Sequence, residues 1–373
     1  MTMKPSFLIL LLSLLFWTDG YAQVDPKATP ETKNLYANLK RLAKTGIMLG
    51  HQDDLAYGVG WKYQDGRSDI RDVAGEYPAV FGWDLGHLEL GNKVNLDSVP
   101  FDRMRGYVQQ VYAQGGVNTF SWHLSNPVDP TKSSWDSQDS TIHHLFEHRR
   151  AKRRYKQWLT HVADFMKSLK GPNGEAIPVI FRPFHEHTGS WFWWGKNHAS
   201  VEDYKKMWHF TEDYLRRKKK VHNLLYAYSP DNFKSREDFL ERYPGDDYVD
   251  IVGFDTYHRP AADTANRFVP DTRKRVEILR EIGTEKDKIT AITETGVEQV
   301  PITDWWTSVL MPIVQDAGLS YVLLWRNGRP DHYYAPYPKQ ASAEDFKEFL
   351  KDSRILMEKR TKAANLYAAP ETN

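Results

Sequence analysis

An α/β fold of the (β/α)8 TIM-barrel type, in a single domain, is predicted by three features of this 373-residue chain. Eight short apolar runs recur along it. Helical patterns separate them. Polar and aromatic residues gather just past the C-terminal end of each run. Near-continuous apolar character is what parallel strands covered on both faces require, and eightfold strand–helix alternation points to a barrel. A doubly wound open sheet is the alternative, but no glycine-rich phosphate fingerprint follows any run. The length suits one barrel, and no internal repeat, low-complexity stretch or Pro/Ser-rich linker marks off a second domain.

The runs are Ile47 to Gly50, Ala79 to Trp83, Val117 to Trp122, Val179 to Pro183, Leu224 to Ser229, Ile251 to Asp255, Thr290 to Glu294 and Tyr321 to Trp325. Between them the clearest helical patterns are Phe101 to Gln114, Arg149 to Leu169, Val201 to Lys219, Arg273 to Ile282 and Ile302 to Asp316. An extra helix, Glu31 to Lys44, precedes the first strand, and Ala343 to Ala364 reads as one closing helix. The helices after the first and fifth strands are expected to be short.

Composition narrows the function. The net charge of +1 provides no global field for nucleic acid or an anionic membrane. The basic runs Arg149 to Lys156 and Arg216 to Lys220 fall in helical patterns and read as solvated faces. Aromatics are abundant, with 13 Trp and 20 Tyr, many beside Gly, Pro and polar residues. Exposed rings next to hydrogen-bonding groups suit sugars, whose C–H faces are apolar and whose rims are hydroxyls. At the N-terminus, Lys4, the apolar run Phe7 to Trp17 and the small-residue site Gly20-Tyr21-Ala22 read as an export signal, residues 1–22, cleaved before Gln23. A membrane anchor is the other reading, but the run is shorter than the about 20 apolar residues that span a bilayer. With no cysteine there is neither a disulfide framework nor a lipidation site. The expected product is residues 23–373, a monomer free of the membrane, periplasmic or extracellular.

A barrel carries its active site at the C-terminal ends of its strands. Those ends read Gly50-His51-Gln52-Asp53-Asp54, Trp83-Asp84, Trp122-His123, Arg182-Pro183-Phe184-His185-Glu186-His187, Tyr228-Ser229-Pro230-Asp231-Asn232, Asp255-Thr256-Tyr257-His258, Glu294 and Trp325-Arg326-Asn327. Glu186 follows the fourth strand and Glu294 ends the seventh, so both belong across one barrel mouth. A carboxylate at the end of a buried strand is costly unless paired or used. Two carboxylates so placed can flank one glycosidic bond. A separation of about 5–5.5 Å means a retaining reaction, with one as nucleophile and the other as acid/base. Ionised Glu294 is then expected to raise the pKa of Glu186 by like-charge repulsion.

These residues resemble glycoside hydrolase family 26, whose best-known members are β-1,4-mannanases. The resemblance runs from Gly50-His51-Gln52 through Trp325-Arg326. Its most specific block is Phe181-Arg182-Pro183-Phe184-His185-Glu186-His187-Thr188-Gly189-Ser190-Trp191-Phe192-Trp193-Trp194-Gly195, with His185 directly before the acid where most of the clan has Asn. The resemblance implies Glu186 as acid/base, Glu294 as nucleophile, and contacts at the cleaved sugar from His123, His185, Trp191, Tyr257 and Trp325. It places Arg326 one sugar further out on the non-reducing side. It implies a β-mannan-class polysaccharide as substrate and endo action. β-1,3-xylan, mixed-linkage β-glucan and exo action releasing mannobiose are the alternatives within the family. Tyr257, two residues past Asp255, can reach the nucleophile, and Trp325 can floor the sugar or plug the barrel. Trp135, Trp193 and Trp194 can stack further sugars or pack loops.

Two readings of other classes compete. His144-Leu145-Phe146-Glu147-His148 fits the inverted zinc-protease pattern, but in a chain with 14 His such short patterns arise by chance, and this one lies away from the strand ends. A polar helix start is the plainer reading, so no metal or cofactor is expected. A non-catalytic glycan-binding protein would keep the aromatics and lose one carboxylate, whereas here both glutamates are present.

Overall fold

The computed structural model describes residues 23–370. The expected export signal, residues 1–22, lies outside them. Eight parallel strands close into a barrel: β1 Ile47–Gln52, β2 Val80–Asp84, β3 Val117–Trp122, β4 Val179–Pro183, β5 Leu224–Tyr228, β6 Ile251–His258, β7 Ile289–Val297 and β8 Tyr321–Leu324. Each pairs with its sequence neighbours, and β8 returns to β1 with Met48 opposite Tyr321. Only glycine fits at position 50, because a Cβ there would lie 2.8 Å from Leu323 Cδ1 and 2.9 Å from Val80 Cβ.

The helices form the outer layer. Pro30–Leu42, capped by the Thr29 hydroxyl, buries Leu35, Tyr36 and Leu39 against the inner cluster of Met48, Val80 and Leu225, and so closes the N-terminal end of the barrel. Phe101–Ala113, Arg149–Ser168, Val201–Asp213 and Phe268–Glu285 pack apolar faces onto the strands. The helices after β1 and β5 are short, Asp69–Ala74 and Arg236–Leu240. None of the described helices is long and apolar enough to cross a membrane.

Three expectations need correction. The pattern from Val201 to Lys219 is an α-helix that widens into a π-turn at Tyr214–Lys218, and Trp306–Leu310 is a second π-turn before Met311–Val314. The closing helix is two helices, Ala343–Phe349 and Glu358–Ala364. Between them Ile355–Leu356 forms a short strand on β1, with Ile47 opposite Ile355 and Met48 opposite Leu356. Its partner edge exists because β2 begins pairing with β1 only at Gly50, which leaves the first residues of β1 open on that side. Apart from these, a small antiparallel hairpin, Tyr57–Gly58 with Trp61–Lys62, lies between β1 and the short helix Asp69–Ala74.

One irregularity positions the chemistry. Along β6–β7, Phe254 faces Ile292 but Asp255 faces Glu294, and along β8–β7, Val322 faces Ile292 but Leu324 faces Thr295. Both ladders slip at the same place, so β7 carries one extra residue there. Such a bulge re-aims the side chains that follow it, and Glu294 is one of them.

Candidate active site

Glu294 is buried at the mouth, with a donor on each oxygen. The Arg182 guanidinium donates to Oε1, and the Tyr257 hydroxyl donates to Oε2 at 2.7 Å. Arg182 itself is enclosed. Its Nη1 also donates to Asp255 Oδ2 at 2.8 Å and to Ser229 Oγ at 3.1 Å. Asp255 accepts further bonds from Thr293 Oγ1 at 2.6 Å and Ser229 Oγ at 3.2 Å. Burial first, then the neighbouring Glu294, pushes Asp255 up to about 8 against the pull of Arg182. One cation thus serves two carboxyl groups, and neither can turn without breaking a bond.

Glu186 sits on a strained corner. Phe184 and Glu186 both have left-handed backbones, with φ of 52° and 53°, a conformation that costs a non-glycine residue about 1–3 kcal/mol. The surroundings impose it. Tyr204 OH donates to the Phe184 carbonyl at 3.0 Å, Trp194 Nε1 to the His185 carbonyl at 2.8 Å, and Glu186 N to the Ser229 carbonyl at 2.8 Å. The Trp191 indole N–H donates to Glu186 Oε2 at 2.8 Å.

One carboxylate oxygen each from Glu186, Asp255 and Glu294 lies within 4.8 Å of the others. That spacing falls short of the about 6.5–9.5 Å that leaves room for a water in inverting enzymes. Glu186 is held well above the usual carboxylate range. Burial is the main cause; repulsion from Asp255 comes second and from Glu294 third, while the Trp191 bond opposes them. Like-charge repulsion from Glu294 therefore contributes, but behind desolvation and a second acid. These three are also the carboxylate trio among the described residues close enough to hold a cation; Arg182, bonded to two of them, already meets that charge. His144, Glu147 and His148 do not converge in this way. The two imidazoles stack 5.4 Å apart, and Glu147 is exposed.

Two histidines stand beside the pair in opposite states. His123 Nδ1 meets Asp84 Oδ2 at 2.7 Å, and Asp84 is fixed by Ser121 Oγ and Gly86 N, each at 2.6 Å. Burial works against charge on His123, but Asp84 outweighs it and holds the imidazole above its ordinary range. His185 is pushed well below by burial and then by Arg182 and His123. Their Nε2 atoms lie 3.2 Å apart, which fits a protonated His123 donating to a neutral His185.

The cleft has a volume of about 350 Å3, and His123, His185, Glu186, Trp191, Tyr257, Glu294 and Trp325 all line it. Trp135, half exposed, stacks on His123 at 5.0 Å and lines it too. Trp193 and Trp194 are fully buried and donate to the carbonyls of Leu124 and His185, so they build the loop instead of the cleft surface. Arg326 stands apart from that lining. It pairs with Asp97, and its Nη1 lies 3.4 Å from Tyr57 OH. A larger cavity of about 590 Å3 lies at the opposite end of the barrel, around Lys40, Arg280 and Lys288, far from the carboxylates.

Arg182, Asp255 and Asp84 stand at strand ends, yet nothing in the strand-end pattern alone separates them from their polar neighbours as site residues. The signal lies in the strands themselves: each is a charge set inside an otherwise apolar strand, as in Phe181-Arg182-Pro183 and Phe254-Asp255.

The sequence profile of glycosyl hydrolase family 26 matches residues 24–303. A mannan endo-1,4-beta-mannosidase from Bifidobacterium adolescentis is 30% identical over 355 residues, covering 89% of this chain but 35% of its own length. The mannan endo-1,4-beta-mannosidase A and B of Caldalkalibacillus mannanilyticus is 30% identical over 274 residues, 69% of this chain and 51% of its own. The chain thus spans about a third to a half of these curated relatives. Among solved structures, a GH26 beta-mannanase from Bacteroides ovatus superposes with a TM-score of 0.88 at 45% identity, covering 92% of this chain and 99% of that one.

Proposed function

The chain belongs to glycosyl hydrolase family 26, and from that premise we propose that it is a retaining endo-β-1,4-mannanase, cutting internal bonds of mannan, galactomannan or glucomannan by double displacement. The observation that carries the mechanism is the carboxylate pair within 4.8 Å, one member buried and pushed toward its protonated form and the other clasped by two donors. Protonated Glu186 donates its proton to the glycosidic oxygen as the Glu294 carboxylate attacks the anomeric carbon. The leaving chain departs, and a glycosyl ester forms on Glu294. Loss of the Glu294 charge removes one repeller of Glu186, which then takes a proton from water as that water attacks the ester. Tyr257 and Arg182 hold the attacking oxygens in line. His123, His185, Trp191 and Trp325 contact the sugar being cleaved, and Arg326 contacts the next one on the non-reducing side. The mannan class of substrate is supported by the similarity to mannan endo-1,4-beta-mannosidases and to a GH26 beta-mannanase. The export signal predicted over residues 1–22 supports a location in the periplasm or outside the cell, which N-terminal sequencing of the mature protein tests: a mature N-terminus still at Met1 overturns it.

The test separates the two glutamates. Glu186→Ala and Glu294→Ala should each nearly abolish hydrolysis of mannan. On an activated aryl β-mannoside the first should still form the ester, release a burst of leaving group and stall. Azide should then speed it and yield the β-azide. Glu294→Ala should show no burst, and any azide product should be the α anomer. A burst from Glu294→Ala alone reverses the roles, and inverted configuration in the first-formed wild-type sugar rules out double displacement. A product profile on mannan, glucomannan, β-1,3-xylan and mixed-linkage glucan decides the substrate.

A further inference from the structure

The two ends of the cleft differ in chemistry. Toward β8 the lining ends in Trp325, with the Arg326–Asp97 pair beyond it. Toward β5 and β6 the lining is Asp231, Asn232, Thr256 and Arg259. Strand order sets these groups on opposite sides of the barrel mouth, with the carboxylates between them. The second group is tied to the corner that bears Glu186. Glu186 N donates to the Ser229 carbonyl, and the Thr188 hydroxyl donates to Asp231 Oδ1. A general acid has to face the departing oxygen, so the departing half of the sugar chain crosses these residues.

Two of the four side chains are occupied and two are available. Asp231 accepts from Thr188, and Thr256 Oγ1 donates to Asn232 Oδ1 at 3.2 Å. That bond orients the Asn232 amide and leaves its NH2 group with no acceptor among the described residues, on an exposed side chain. Arg259 is likewise exposed and has no ion pair among the described residues. The backbone that carries it is held. His258 Nδ1 accepts from Trp305 Nε1 at 3.1 Å, and Asp263 accepts from the amides of Arg267 at 2.6 Å and Phe268 at 3.0 Å. A fixed loop thus presents a guanidinium, and an oriented amide lines the same end of the cleft. Both offer free N–H donors, and pyranose hydroxyl oxygens are matching acceptors.

We propose that Asn232 and Arg259 form the leaving-group-side subsite, gripping by hydrogen bonds the pyranose just beyond the bond to be cut and setting the preference for chain substrates over simple glycosides. The proposal rests on the glycosidase reading of the carboxylate pair. It is tested by kcat/KM of Asn232→Ala, Arg259→Ala, Arg259→Lys and the double alanine variant on mannopentaose and on an aryl β-mannobioside, whose aryl group offers none of these acceptors. Each alanine change should lower kcat/KM on the pentaose about tenfold, the size of a lost hydrogen bond to a charged or fixed donor. The loss on the aryl glycoside should be several-fold smaller, and Arg259→Lys should recover part of the activity. Equal losses on both substrates, or no loss on the pentaose, overturn the subsite. A wild type that ignores mannopentaose but cuts the matching xylo- or gluco-oligosaccharide overturns only the mannan reading, and the same ratio is then read on that substrate.

Discussion

Glu186 shows how a single side chain carries a balance of opposed contacts. Burial, Asp255 and Glu294 all favour its neutral form, and one hydrogen bond, from the Trp191 indole, favours the charged form. The alkaline limb of the kcat/KM profile reports the general acid of the free enzyme. Trp191→Phe keeps a ring but removes the donor, so the charged form loses its support and the pKa rises further. The alkaline limb of kcat/KM on a soluble manno-oligosaccharide should therefore move to higher pH, even though activity at its maximum falls about tenfold from the lost contact. A limb displaced toward acid would show that Trp191 acts on Glu186 through something other than this bond.

At the scale of elements, the turn after β4 and the bulge in β7 aim the two glutamates, and each depends on a narrow local fit. In the turn, a Cβ on Gly189 would lie 2.3 Å from the Trp191 ring. Trp191 is 42% exposed, so its ring can swing into solvent and the turn need not unfold. Gly189→Ala should consequently lower kcat/KM by tenfold or more while leaving Tm close to that of the wild type; a large drop in Tm with retained activity per folded molecule would contradict this. The barrel strands were legible because each is an apolar run ending in a polar cluster, and this alone placed Glu186 and Glu294 at one mouth. The bulge was not legible, since an extra residue in a strand buried along its whole length leaves no change in hydrophobic pattern. Ile355–Leu356 was missed for a related reason. Two apolar residues after Lys351-Asp352-Ser353-Arg354 fit the face of a continuing helix, and only the open edge of β1 makes them a strand. The buried indoles of Trp193 and Trp194 could not be told from the exposed one of Trp135 until the loops were folded, because all three lie in segments between strand and helix where no apolar periodicity shows which ring turns inward.

At the scale of the whole molecule, buried carboxyl groups outnumber buried cations among the described residues, and this fixes how stability responds to pH. Asp250 is pushed up to about 6, Asp255 to about 8 and Glu212 to about 9, each chiefly by burial. Glu212 lies 3.1 Å from Arg216, but burial and then repulsion from Asp250, Asp213 and Asp25 outweigh the pull of that cation. For a carboxyl group whose pKa is raised by folding, the unfolded chain is already ionised while the folded one still holds its proton. Stability then falls as pH rises through the interval between the two values, by about 1.4 kcal/mol per pH unit for each such group. His123, raised by Asp84 against the cost of its burial, acts in the same direction, because its stabilising proton is lost as pH climbs past its folded pKa. His185 and His187, both lowered mainly by burial, are neutral in both states above about pH 6.5 and contribute nothing there. Thermal stability should therefore decline from pH 6 to pH 9. Glu212→Gln isolates one contribution, since the amide imitates the protonated acid and cannot ionise. The variant should match the wild type near pH 4 and exceed it increasingly from there toward pH 9, so that its Tm falls less steeply. Parallel Tm profiles for the two proteins would show that Glu212 is already ionised in the folded state beside Arg216, and a wild-type Tm that rises toward pH 9 would show that the buried acids as a group do not set the alkaline limit of the fold.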